Sequence, residues 1–452
     1  MKTYKVRPDF NLLYESFSPQ FPMIKGHPQK GLAHKTRQVR AALFSAAPPK
    51  PHGFPKECFV RDSMAFVLLL ASVGGVAPVR VGRRGGRWTV AGSRGMRAYG
   101  CFVVPAMVII IFATGTLDYF LNYKTPAGSD CGGKQCPSMV YLVWIGNMVL
   151  ASAAVLAGWR SAAERIRQMV KSFNDMEKIN QDLGFVEKRS KDWKRLLFCI
   201  LLQTAATTLL AYMYKRFSQN NVREKRTKVG YSPLLVMQWL VFLLAQQFSL
   251  SVMHVNSSLS AINSALEQEL RTLDQQTNFT KFSRSCGWVR RLARHHGWVC
   301  DAADSLDHTY GTFLYFAFGN FLLYLIAKPY YLLHDVIEVG FVEFSVIALQ
   351  MSWVGLYLLT IMAVIEPCHD MAVQMRLTRS LAAELSRRAG CPLLQKSLRT
   401  LAAVLMLRQP HFAPLGLFTL DRPLIIDIMS EVTTLLLVII QFQQLTGYYK
   451  TD

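Results

Sequence analysis

Acidic residues are scarce in this chain. Its 452 residues include 29 Asp and Glu against 51 Lys and Arg, which gives a formal net charge of +22. A nucleic-acid-binding protein gathers such an excess on one face or along one stripe, whereas here the cationic residues are spread over many segments. The sequence therefore predicts no nucleic-acid partner.

A regular cysteine framework is also missing. Of the nine cysteines, only Cys131 and Cys136, in SDCGGKQCPS, share a short polar loop. They form either a small disulfide, if that loop is extracellular, or a free pair. No secretory signal peptide is visible. The first sixty residues are polar, basic and rich in proline, which predicts a loosely ordered segment.

Signals of catalysis are lacking as well. GRRGGR at 82–87 is a weak match to a nucleotide-binding loop, because no strand is recognisable before it and no Lys-Ser/Thr follows. In RHHGWVC, His296 and Cys300 are one helical turn apart, but one such pair falls short of the four ligands that a zinc site normally needs. We predict that the chain is not an enzyme and holds no cofactor or metal.

Long apolar runs are the main feature of the sequence. Such runs are continuous rather than alternating, so they predict membrane-spanning helices and not a barrel. The fold class is therefore all-α and polytopic. A shorter run at 63–79 contains two glycines and ends in Pro78, which favours an interfacial helix over an eighth span. The seven predicted spans are 98–121, 138–158, 195–214, 232–253, 310–333, 339–366 and 424–445.

The cationic residues orient these spans. With the N-terminus inside, cytosolic segments hold 41 Lys and Arg and outer segments hold 9, so the positive-inside rule favours an inner N-terminus and an outer C-terminus. This orientation of the termini is opposite to that of a G-protein-coupled receptor. Sequons at Asn256 and Asn278 would be unused in this orientation and available to a glycan in the other.

Two loops on the predicted inner side have helical periodicity. Leucines and isoleucines of 255–275 share one face, and 371–408 behaves similarly. Both segments are predicted to extend the membrane helices into the cytosol. They serve either ordinary packing or contacts between subunits.

Polar and aromatic residues within the spans point to a cavity in the outer half of the bundle. Polar side chains are costly in lipid and tend to face the bundle interior. Amides, aromatics and one carboxylate together suit a small polyhydroxylated ligand; the alternative is an interfacial aromatic belt with hydrogen bonds between helices. The candidate ligand-binding residues are Tyr141, Trp144, Asn147, Gln238, Trp239, Tyr330, Tyr331, Glu343, Gln350 and Trp353.

The last span resembles the insect gustatory receptor family, part of the seven-transmembrane chemoreceptor superfamily. That family ends in Thr-Tyr, five apolar residues and Gln-Phe; here Thr434, LLVII, Gln441 and Phe442 match, and Leu435 stands in place of Tyr. GGVAP at 74–78, LARHHGWVCDAADSLDHTYG at 292–311 and GLFTLDRPLIIDIM at 416–429 are similar to further family segments. The resemblance covers most of 63–445.

The resemblance implies a gustatory chemoreceptor of the plasma membrane of sensory neurons, acting as a ligand-gated non-selective cation channel. It implies a homotetramer, or a heteromer with related receptors, whose last spans line one pore. Gln350 and Trp353 look like residues of sugar-binding members such as the fructose-receptor group; a bitter or other ligand is the alternative. The implied pore and gate residues are Thr434, Val438, Gln441, Phe442 and Leu445.

Two other classes stay open at this point. A metabotropic seven-span receptor would need the reversed topology. A transporter would need two related halves with broken spans, but no internal repeat is visible in the sequence. The basic stretch 80–97 either binds anionic lipid or has no role.

The predicted organisation is a loose N-terminus (1–62), an interfacial helix with a basic linker (63–97), a six-helix ligand-binding bundle (98–366), a cytosolic anchor with an approach helix (367–429), a pore-lining span (430–445) and an extracellular tail (446–452).

Overall fold

The computed structural model describes residues 58–123, 137–184, 228–275, 282–339, 344–389, 392–408 and 410–448, with parts of 194–212. Three strands and nine labelled helices occur in these ranges, with a short 3-10 turn at Pro414–Gly416. The strands are β1 (Cys58–Val60), β2 (Val79–Arg84) and β3 (Arg87–Gly92). The helices are α1 (Asp62–Val73), α2 (Arg94–Tyr123), α3 (Pro137–Arg160), α4 (Ala162–Asp182), α5 (Lys228–Gln275), α6 (Phe282–Val339), α7 (Phe344–Arg388), α8 (Pro392–Leu407) and α9 (Arg422–Tyr448).

Five of the described helices are long and apolar enough to cross a membrane, namely α2, α5, α6, α7 and α9. The second predicted span lies in α3, and the third includes a short apolar helix at Leu197–Ala206. Helix α5 has 48 residues and α6 has 58. At 1.5 Å per residue each exceeds the roughly 30 Å of a bilayer core, so both project well beyond the membrane.

Helix α1 occupies the first half of the predicted interfacial segment. It has 12 residues, of which seven are buried, so it is too short to span and packs into the bundle instead of lying on its surface. Its end is shaped by close contacts: a Cβ on Gly74 would clash with the Leu240 side chain of α5.

A small antiparallel sheet, ordered β1-β3-β2, departs from the all-α expectation. The predicted basic linker forms the β2–β3 hairpin, with Val81 opposite Val90 and Arg84 opposite Arg87. Gly85 and Gly86 both have positive φ, as a tight two-residue hairpin turn requires. GRRGGR therefore ends a strand and turns the chain, a role that a search for phosphate-binding glycines does not detect.

A hydrogen-bonded seam joins α5 to α7. Ser249, Asn256 and Asn263 are spaced by seven residues and so share one helix face. The Ser249 hydroxyl donates to the Ala363 carbonyl at 2.5 Å, and the Asn256 amide donates to the Pro367 carbonyl at 3.1 Å. Further along, Asn263 bonds to the backbone and side chain of Gln374 on α7. This seam continues through the predicted membrane boundary into the helical extensions.

Candidate ligand-binding site

Aromatic rings from three long helices meet around Tyr357 of α7, which is fully buried. Its ring stacks on Tyr324 of α6, with centroids 4.7 Å apart, and on Trp353, one turn earlier in α7, at 5.9 Å. Phe321 of α6 and Phe242 of α5 lie at 5.7 and 5.5 Å from the same ring. These five residues, called the aromatic cluster below, place the predicted Trp353 at a junction of α5, α6 and α7.

Polar groups border the aromatic cluster. The Asn320 amide of α6 donates to Gln238 Oε1 of α5 at 3.0 Å, and both side chains are buried. The Tyr357 hydroxyl lies close to Gln238 and Tyr324. On the other side, Lys328 Nζ lies 5.8 Å from the centre of the Tyr324 ring, a distance at which a cation is attracted to the ring face. Amide, hydroxyl and ammonium groups thus surround the stacked rings.

Several buried polar atoms near these helices have no hydrogen-bond partner among the described residues. They include Gln350 Oε1 and Trp353 Nε1 of α7, Trp239 Nε1 of α5 and Asn147 Oδ1 of α3. A buried group left without a partner costs free energy. A ligand or an ordered water that bonds to such an atom would recover that free energy.

The structure places the predicted ligand-binding residues in different surroundings. Trp353 is a member of the aromatic cluster, and Gln238 lies close to the Tyr357 hydroxyl at its border. Asn147 is buried in α3, and Tyr330 is half-buried in α6. The Tyr141, Trp144 and Tyr331 backbones lie in helices, but their side chains fall outside the described residues, as does Glu343 entirely.

Sequence reasoning missed Tyr357, Tyr324 and Asn320. Tyr357 follows Trp353 by four residues and Gln350 by seven, so helical spacing already places it on their face. Asn320 and Tyr324 are likewise one turn apart on α6. All three residues lie within apolar runs. The signal that could have identified them is their helical spacing, which places polar and aromatic residues on one helix face.

Two other sequence candidates are explained by local contacts. Cys300 Sγ lies 3.6 Å from His296 Nδ1, and His296 Nε2 lies 3.3 Å from Met375 Sδ of α7. Both His296 and Cys300 are buried where α6 packs on α7. Cys131 and Cys136 lie outside the described residues, so their pairing stays a prediction.

The last helix, α9, turns two different faces to its surroundings. Ile428 and Val432 are buried against the bundle, and Leu436 packs on the core beside them. Thr434, Val438 and Gln441 are exposed. At 100° per residue, these three lie roughly opposite the buried face. Phe442 and Leu445 continue the same helix, although their side chains lie outside the described residues.

Comparisons with known proteins agree with this architecture. A family model described as 7tm Chemosensory receptor matches residues 66–446. The gustatory receptor for sugar taste 43a of Drosophila melanogaster is 26% identical over 199 residues, which are 44% of this chain and 46% of that receptor. The matched segment therefore spans less than half the length of that relative.

Solved structures show the same fold. The insect olfactory receptor OR5 from Machilis hrabei aligns with a TM-score of 0.56 and 11% identity, over 83% of this chain and 97% of that receptor. The same receptor in complex with eugenol aligns with a TM-score of 0.56 and 10% identity, over 84% and 97%.

These matches confirm the predicted polytopic helical fold, to which the β1–β3 sheet is an addition. They also confirm that the chain is a receptor and not an enzyme. Since the family model covers well over half of its length, this chain belongs to the 7tm chemosensory receptor family.

Proposed function

We propose that this protein is a gustatory receptor that works as a ligand-gated, non-selective cation channel, with a small polyhydroxylated tastant bound between α5, α6 and α7. The observation that carries the proposal is the stack of Trp353, Tyr357 and Tyr324, bordered by the Gln238–Asn320 amide pair. Aromatic faces pack on the C–H surfaces of a sugar ring, while amides bond to its hydroxyls.

The sugar class has two supports. One is chemical: buried Gln350 and Trp353 polar atoms lack partners among the described residues and could be satisfied by ligand hydroxyls. The other is the relative named for sugar taste, although it matches over less than half of its length. A bitter or other apolar tastant would engage the rings and leave these polar atoms unpaired, which makes it the less favourable occupant.

We place the N-terminus inside and the C-terminus outside, in the plasma membrane of a chemosensory neuron. The cationic residues support this orientation, and Asn256 supports it further, because its amide is committed to the Pro367 carbonyl instead of being open to a glycan. A tag at the C-terminus of intact cells should be accessible to antibody. An accessible N-terminal tag would instead favour the metabotropic receptor.

The pore is assigned to α9 of four subunits, either identical or mixed with related receptors. Only 11% of the most apolar window of this helix is buried within the chain, so most of its surface is available to lipid, to neighbouring subunits and to a pore. Thr434, Val438 and Gln441 face away from the bundle. We propose that they line the pore with Phe442 and Leu445, where amide and apolar rings gate cation flow without strong selectivity.

The decisive experiment is whole-cell recording from cells that express this chain alone, with a panel of sugars and bitter compounds. The expected result is a sugar-evoked current that reverses near zero in mixed Na⁺ and K⁺. Gln441→Ala should change unitary conductance while the surface level is kept. A second-messenger response without any current would overturn the channel, and responses to bitter compounds alone would overturn the sugar class.

A further inference from the structure

One lysine, Lys328, lies among the apolar residues of α6 beside the aromatic cluster. It follows Tyr324 by four residues, and Tyr324 follows Asn320 by four, so the three side chains form one stripe along the helix. Lys328 is half-buried, and its Nζ lies 5.8 Å from the centre of the Tyr324 ring. An ionisable side chain within a membrane span is costly, and such a residue usually has a functional partner.

The ammonium group of Lys328 turns toward the aromatic cluster and not toward the membrane surface. A lysine near the end of a span usually extends toward the lipid headgroups, where its charge is solvated. The predicted end of this span, at 333, lies beyond Lys328 in the chain, whereas Tyr324 lies one turn in the opposite direction. Because Nζ lies near the Tyr324 ring, the side chain is directed back into the bundle.

The packing of α6 on α7 places Lys328 at the level of Trp353. The first half of α6 contacts the second half of α7, and the later Tyr324 stacks on the earlier Tyr357, so the two helices run antiparallel. Lys328 comes four residues after Tyr324, and Trp353 comes four residues before Tyr357. Both residues are therefore about 6 Å from the stacked tyrosines in the same direction along the helix pair.

The polar groups at this level lack an anionic acceptor. Trp353 Nε1 is a buried donor with no hydrogen-bond partner among the described residues. No Asp or Glu occurs in 310–334 or 344–365, the stretches of α6 and α7 around this level, and within the part of the chain that the structure describes no charged group compensates Lys328. A partly buried cation without a counter-charge costs free energy. An anionic ligand supplies both the acceptor and the charge.

We propose that the preferred ligand is a sugar acid, a polyhydroxylated molecule that carries a carboxylate. This inference rests on the proposed function, because it concerns the ligand of the same site. Lys328 and Trp353 Nε1 donate to the carboxylate, and the Tyr357 ring packs on the C–H surface of the sugar. A ligand hydroxyl donates to Gln350 Oε1, a buried atom without a partner among the described residues. A neutral sugar fills the same place but leaves the ammonium group without a counter-charge.

The test applies glucuronate, glucuronamide and glucose, at equal sodium concentration, to cells that express the full chain. Glucuronate and glucuronamide have the same ring and nearly the same shape, but only glucuronate is negatively charged. Whole-cell currents at matched surface expression give the half-maximal concentrations. The test variant is Lys328→Gln, and Lys328→Arg keeps the charge. The control is Lys178→Gln, because Lys178 Nζ also lies near an aromatic ring, 5.6 Å from the centre of Trp298, but between α4 and α6.

The parent chain and the Lys178→Gln control should respond to glucuronate at a concentration about tenfold or more below that for glucuronamide, because a hydrogen bond to a charged group is stronger than one to a neutral group. Lys328→Gln should lose most of this preference, and Lys328→Arg should keep part of it. The comparison of the two compounds in the parent chain decides the question even if Lys328→Gln does not reach the cell surface.

Equal half-maximal concentrations for glucuronate and glucuronamide in the parent chain would overturn the inference and assign Lys328 to a carboxylate of the protein itself. An unchanged preference in Lys328→Gln, or an equal loss in the Lys178→Gln control, would also overturn it. Currents evoked by glucose without a preference for glucuronate would overturn this inference alone. The absence of current with all three compounds and with the wider sugar panel would overturn the proposed function together with it.

Discussion

Arg422 and Glu366 form an ion pair that joins the first turn of α9 to α7. Arg422 Nε donates to Glu366 Oε2 at 3.0 Å, and its Nη2 contacts the other carboxylate oxygen. The pair therefore has two parallel contacts, which fix the orientation of both groups. Glu366 lies on the same helix as Trp353 and Tyr357, so the pair directly connects the candidate ligand helix to the candidate pore helix.

Removing this pair should change how ligand binding opens the pore. Glu366→Gln and Arg422→Gln are each expected to shift the ligand concentration for half-maximal current by up to about fivefold, because both side chains are about half exposed and such pairs are worth at most about 1 kcal/mol. The two changes should not add in the double variant. The control is Glu384→Gln, which breaks a pair within α7 alone. Additive shifts would contradict the connection.

Changes in the aromatic cluster should separate ring stacking from hydrogen bonding. Trp353→Ala removes a ring that stacks on Tyr357 and should reduce ligand sensitivity by about tenfold or more. Tyr357→Phe keeps the ring and removes only the hydroxyl near Gln238, so a smaller loss is expected. Concentration-response curves at matched surface expression measure both. Tyr315→Phe, on an exposed α6 position, should have no effect; equal curves for Trp353→Ala and the parent would exclude the cluster as the ligand site.

Arg165 should be among the most important residues for stability. It is 1% exposed in α4 and donates to the Gly158 carbonyl at 2.7 Å and to the Val76 carbonyl at 2.9 Å. Its guanidinium also lies 5.1 Å from the Tyr310 ring. Burial lowers the pKa of Arg165, and the hydrogen bonds to the two carbonyls stabilise its charged form.

Arg165→Met should therefore lower stability by about 2–4 kcal/mol, because the buried Val76 carbonyl loses the Arg165 donor, and the Gly158 carbonyl, which also accepts from the Ser161 hydroxyl, loses one of its donors. Thermal unfolding in detergent measures this loss. Arg167→Met, about half exposed on the same helix, is the matched control and should change the midpoint little. If Arg165→Met and the control unfold at the same temperature, then contacts other than the Arg165 hydrogen bond hold Val76 in place.

Gly100 allows α2 to approach the turn after α1. A Cβ added there would clash with the Gly75 carbonyl oxygen, a backbone atom in a residue with positive φ. Gly100→Ala should destabilise the fold by about 1–3 kcal/mol, since neither backbone can easily move away. Gly95→Ala, in the same helix but with nothing closer than 3.9 Å, should be neutral or slightly stabilising. Chemical or thermal denaturation of both variants compares them; equal stability would show that α2 can shift.

Part of the candidate site could be predicted from local spacing. Gln350 and Trp353 share a helix face by periodicity, and Trp353 does join the aromatic cluster. Gln238 could be recognised as a buried amide within a span, but its partner Asn320 lies 82 residues away. No local pattern indicates which of several polar residues on different helices will meet, because that depends on helix rotation and crossing angle.

The sequence by itself determined that this protein is a helical membrane receptor. Apolar runs of membrane length require helices whose backbone groups are satisfied internally, and the spacing of Thr434 from the adjacent Gln441 and Phe442 in the last span pointed to its family. The tertiary structure decided that 63–79 begins with a buried helix, that the arginine-rich stretch is a hairpin, and that Tyr357 is the centre of the aromatic cluster. Each of these outcomes depends on contacts between segments far apart in the chain, and their energies come from packing that no single segment encodes.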